Sequence, residues 1–161
     1  MNYLEPADVA DAVVAKLNNA ISDFTYENYS VKTIEHIAKK PATDDGTTPP
    51  WIAVAYFFEE SGEVLPSGKI YNLPVTIAVI CSSTPGHLTD ADALKEAMHY
   101  ARMVIDKVLN DCGEYNINIG TVANPEYRLV QLKSAAKPLE ILEASADMAL
   151  VGAFFEYLDT F

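Results

Sequence analysis

The sequence predicts an α/β fold of the α+β type: a mainly antiparallel or mixed sheet carrying two principal helices. Three observations lead there. Apolar residues recur at helical spacing over residues 9–24 and 94–108. Two strongly apolar runs of strand length, 51–58 and 73–81, flank a turn-rich segment. Beyond residue 116 the chain reads as a succession of strands. With 161 residues, half of them apolar, the whole of 1–161 is expected to form one domain around one core.

The first helix starts near Pro6, a residue favoured in a first turn, and gathers Val9, Val13, Leu17, Ala20, Ile21 and Phe24 on one side, with Asp8, Asp11, Asn18 and Asn19 opposite. A short strand is expected at Ser30–Ile37. The stretch "KKPATDDGTTPP", residues 39–50, has nothing to bury and predicts a flexible surface loop. Trp51–Phe58 and Leu73–Cys81 predict antiparallel neighbours, with "EESGEVLPSGK", residues 59–69, as a long hairpin connection. The second helix begins after Thr89, a good N-cap, with Asp90 and Asp92 favourable in its first turn, and ends near Cys112-Gly113. Its buried stripe is expected to be Leu94, Met98, Ala101, Ile105 and Val108. Asn116–Val122, Tyr127–Lys133 and Leu139–Glu143 predict short strands. Met148–Leu158 is helical by propensity, but Gly152 and the aromatic residues favour a closing strand.

The charge excludes several function classes. Eleven Lys and Arg against 23 Asp and Glu give a formal net charge of −12, which disfavours broad contact with nucleic-acid phosphates or an anionic membrane. The N-terminal stretch carries carboxylates where a signal peptide carries Lys or Arg, and no apolar run has bilayer-spanning length, so a soluble protein made in the cytosol is expected. Cys81 and Cys112 lack CxxC spacing and predict two reduced thiols.

Residues of catalytic type do not assemble into a reaction. The break after strand 73–81, Ser82-Ser83-Thr84-Pro85-Gly86, matches neither Gly-x-Ser-x-Gly nor a phosphate loop, and its hydroxyls and Pro-Gly suffice for a corner leading to Thr89. Glu96 and His99 have the Glu-x-x-His spacing of di-metal bundles. On the predicted helix, however, they face solvent: His99 shares its side with Lys95, Arg102 and Asp106. His36 and His87 have no ligand-spaced neighbour. The carboxylate pairs Asp44-Asp45, Glu59-Glu60 and Asp90/Asp92 fall in loops or at a helix start, where solvation and helix-terminus stabilisation account for them. No catalytic, cofactor-binding or metal-ligating residue is therefore assigned.

At "NLPVTIAVICSS" leading into "DADALKEAMHYARMVIDKVLND", and again in the closing "LEILEASADMALVGAFFEYLDTF", the chain resembles the phage tail-terminator and tail-completion proteins, including the Mu-like prophage type. The resemblance covers most of the chain and rests on element order and apolar pattern; loop 39–50 has no counterpart in it. It implies a structural virion protein with no catalytic residues. Subunits form a ring, commonly a hexamer, at the head-proximal end of the tail tube, end its polymerisation and meet the head connector. The strands 51–58, 73–81 and 148–155 are apolar on both faces, more than two helices cover, which leaves apolar surface for a neighbouring subunit. Carboxylates facing a channel would let DNA pass without gripping it. The alternatives are a neck or head-completion protein, and a small α/β enzyme or ligand-binding domain with a concave polar pocket.

Overall fold

The computed structural model describes residues 3–26, 36–38, 50–55, 60–65, 67–80, 89–145 and 148–160. Within them two α-helices, α1 (Pro6–Asn19) and α2 (Asp90–Val108), pack on a sheet of seven strands: β1 (His36–Ala38), β2 (Trp51–Val54), β3 (Glu60–Leu65), β4 (Gly68–Ile80), β5 (Glu114–Asn118), β6 (Tyr127–Ala144) and β7 (Met148–Thr160). The strand order is β1-β2-β4-β7-β6-β5, with β3 also paired to β4. All pairings are antiparallel except β1 with β2. The α+β class with a mixed, mainly antiparallel sheet is thus observed.

β4 and β7 form the spine, matched residue for residue from Gly68↔Thr160 to Ile80↔Met148. Strand alternation sorts their side chains. Leu73, Val75, Ile77 and Val79 of β4, with Val151, Ala153, Phe155 and Tyr157 of β7, face the helices and are buried in the core. Their alternates, including Pro74, Thr76, Phe154 and Glu156, lie on the outer face. β6 extends the sheet beyond β7 and breaks register between Ser134 and Leu139. Pro138, which has no N–H to offer a ladder, sits in that bulge. The two short strands expected at 127–133 and 139–143 are therefore one strand interrupted by a bulge.

α1 starts as expected. Pro6 occupies the first helical turn, the Glu5 N–H donates to Asp8 Oδ2 at 3.0 Å, and Val9, Ala10, Val13 and Leu17 are buried. It ends at Asn19, earlier than the apolar arc suggests. Phe24 nevertheless reaches the core, carried there by a 3-10 turn at Ile21–Asp23. The expected strand at 30–37 is described only from His36, and loop 39–50 lies outside the described residues but for Pro50.

Two expectations are corrected. The connection 59–69 contains a strand: Glu60–Leu65 pairs with the first residues of β4, so β4 starts at Gly68 and not at Leu73. The irregular register between Glu60 and Val64 and the polar composition mark an edge strand held by backbone bonds, which leaves no apolar alternation to read. The second correction concerns α2. Ala101 and Val108 of the expected stripe are buried, but they lie at one edge of a buried face that also holds Ala93, Glu96, Ala97, Tyr100 and Val104 and is rotated by roughly 80° from that stripe. Leu94, Met98 and Ile105 lie at the margin, half-buried. Alanines at 93, 97 and 101 leave room for the helix to approach the sheet, and Tyr100 and Val104 fill the space beside them.

The turn from α2 into β5 is fixed by conformation. Asp111, Cys112 and Gly113 all have positive φ, at 55°, 60° and 69°. A Cβ on Gly113 would lie 2.2 Å from the Leu132 carbonyl oxygen, so glycine is required there on both counts.

Candidate functional site

The surface that the fold leaves open lies on the side of the sheet away from the helices. At the β2–β4 end this outer face is closed: Trp51, Ala53 and Ala78 are buried and pack with Leu150. Toward β6 it opens. Leu129 is 65 % exposed, and Tyr127, Leu142 and Leu158 are exposed as well. Around the β6 bulge the face sinks into a depression of about 460 Å³ floored by Pro74 and Phe154 and edged by Asn72, Lys137, Glu140 and Glu156. A second groove, of about 380 Å³, continues between Leu129, Gln131, Lys133 and Leu158. The Lys133 Nζ stands 3.8 Å from Glu156 Oε1, and Lys137 Nζ 3.8 Å from Glu140 Oε1, so this face alternates apolar patches with ion pairs. Such a broad, shallow, mixed surface suits a protein contact better than a small substrate.

The opposite side of the molecule carries the solvent face of α2. Lys95, His99 and Arg102 share it, one helical turn apart, as the sequence indicates. With Tyr26, Leu94 and Met98 they line a notch of about 420 Å³. A ring nitrogen of His99, Nε2, lies 3.1 Å from the Thr25 carbonyl oxygen, and the ring stands 5.4 Å from that of Tyr26. These contacts use His99 as a packing and hydrogen-bonding residue on a solvated face.

Glu96 departs from expectation. It is fully buried instead of facing solvent, and it accepts a hydrogen bond from the Tyr100 hydroxyl at 3.0 Å. Burial, and then the Glu96 carboxylate, hold the Tyr100 hydroxyl far above the ordinary tyrosine range. The Glu-x-x-His spacing therefore sends Glu96 into the core and His99 out. Asp92, the inner member of the Asp90/Asp92 pair, accepts the Thr89 N–H at 2.9 Å and caps the helix. Glu96 was legible only as one residue of a spacing motif; its burial follows from the rotated face of α2, which residue size does not reveal.

Residues 82–88, including His87, lie outside the described residues, as do Cys81, Asp44, Asp45 and Glu59. Cys112 is free and exposed. Among the described residues no group of three His, Cys, Asp or Glu side chains gathers closely enough to hold a metal ion, and no helix is long and apolar enough to cross a membrane. No known family model matches the sequence, and no curated protein is significantly similar to it.

Proposed function

We propose that this chain is a structural virion protein that caps the head-proximal end of a phage tail tube as a homo-oligomeric ring, ending tube polymerisation and joining the tail to the head connector. The observation that carries the reading is the one-sided helix layer: both helices lie on one face of the sheet, while the other face keeps Leu129, Leu142 and Leu158 exposed beside paired charges. Burying one such side chain in a contact is worth about 1.5–3 kcal/mol, so a few of them hold a subunit against a neighbour. The order of elements, a short helix, a sheet whose central strand leads into a long helix, and a last apolar strand, is that of the tail-terminator resemblance. The net charge of −12 suits a conduit that DNA traverses without being held.

The direct biochemical test adds the purified chain to polymerising tail tube protein. Substoichiometric amounts are expected to stop elongation and to be found at one tube end by electron microscopy. Tubes that grow unchanged, with no chain at either end, would overturn the reading in favour of a neck protein or a ligand-binding domain.

A further inference from the structure

We infer that the notch on α2 receives the acidic, apolar end of β6 from a second copy of this chain, so that subunits join back to front. The inference rests on the ring reading for its closure, but the contact itself is argued from charge. Copies that each carry −12 repel, and a local meeting of unlike charges offsets that repulsion. Among the described residues most cations are already engaged. Lys107 pairs with Asp23 at 2.6 Å, Arg128 with Asp159 at 3.0 Å, Lys133 with Glu156 and Lys137 with Glu140. Lys16 donates to the Asn110 carbonyl, and Lys69 stands over the Tyr71 ring. Among the described residues Lys95 and Arg102 alone of the Lys and Arg side chains have no such partner, and they flank one apolar notch containing Leu94 and Met98.

The end of β6 has the matching chemistry. Leu142, 46 % exposed, lies between Glu140 and Glu143 on the outer face, whereas Ile141 pairs with Val151 on the helix side; Glu140 has Lys137 at 3.8 Å, and Glu143 makes no ion pair among the described residues. The rival apolar surface, the groove between Leu129 and Leu158, is lined by Gln131 and Lys133 and offers no lining carboxylate to Lys95 and Arg102. Register places Glu140 opposite Gly152 and Glu143 opposite Leu150, on the outer face of the sheet. Lys95 and Arg102 point away from the sheet on the other side of the helix layer. Two complementary patches on opposite sides of a two-layer molecule cannot satisfy a two-fold pair; they propagate head to tail, and close into a ring where the rotation allows.

The experiment uses the full chain under reducing conditions at low ionic strength, with sedimentation equilibrium up to about millimolar concentration. Wild type is expected to self-associate, and added salt to weaken it. The double variants Lys95→Glu/Arg102→Glu and Glu140→Lys/Glu143→Lys, each confirmed folded by circular dichroism, are expected to lose association by at least about tenfold. Their equimolar mixture is expected to recover it, because each then offers the other both complementary patches. Monomeric wild type throughout, variants that associate like wild type, or a mixture that fails to recover would overturn the contact while leaving a ring through other surfaces open. Recovery that yields only open filaments would uphold the contact and sink the ring.

Discussion

At Gly113 the demands of backbone and packing coincide: φ is +69° and the Leu132 carbonyl occupies the place of a Cβ. Gly113→Ala is therefore expected to cost at least about 2 kcal/mol in denaturant unfolding, through left-handed strain plus overpacking. The neighbouring Cys112, at φ 60° and exposed, has the reverse prospect. Cys112→Gly is expected to be neutral or to stabilise by up to about 1 kcal/mol. Equal losses at both positions would show that the turn, and not its conformation, is sensitive. Three buried tyrosines are expected to set the alkaline limit. Burial raises the hydroxyls of Tyr100, Tyr115 and Tyr157 above their ordinary value of 10.0, and the Tyr115 hydroxyl donates to the Val108 carbonyl at 2.8 Å. A raised folded value means that this stabilisation is complete below pH about 10 and is lost as pH rises above it. Absorbance of tyrosinate and loss of structure are thus expected to rise together for these residues above that pH. Ionisation of all the tyrosines in the folded chain near pH 10 would contradict the packing.

At the scale of elements, α2 carries the sharpest test. Its contact face is built on Ala93, Ala97 and Ala101, with Leu94 and Met98 at the edge. Ala97→Leu is expected to destabilise by about 1–3 kcal/mol, and Met98→Ala by less than about 2 kcal/mol, below the range for a fully buried methionine. The opposite ranking would restore the face that apolar size suggests. Helix existence, the cap at Thr89 and the apolar strands 51–54 and 73–80 were legible because caps and long apolar runs are local signals. The face of α2 was not, since alanine is ambiguous between core and surface and Glu96 reads as a solvated residue. Strand β3 was hidden for a related reason: it is held by backbone pairing to β4, which side-chain pattern does not record. The open outer face was partly legible, in strands apolar on both sides. The basic strip at Lys95, His99 and Arg102 was visible as a solvent face, whereas its significance depends on which other cations are paired, a tertiary fact.

For the whole molecule, the described helices cover one face of the sheet while the other stays exposed toward β6, in a chain with a net charge of −12. That arrangement underlies the proposal of a subunit that acts by assembling at a tube end. The measurement that tests it most directly is tail length in phage particles produced without this protein, read by electron microscopy. The account predicts overlong or ragged tubes that fail to join heads, restored to fixed length when the protein is supplied; normal tails of fixed length would contradict it.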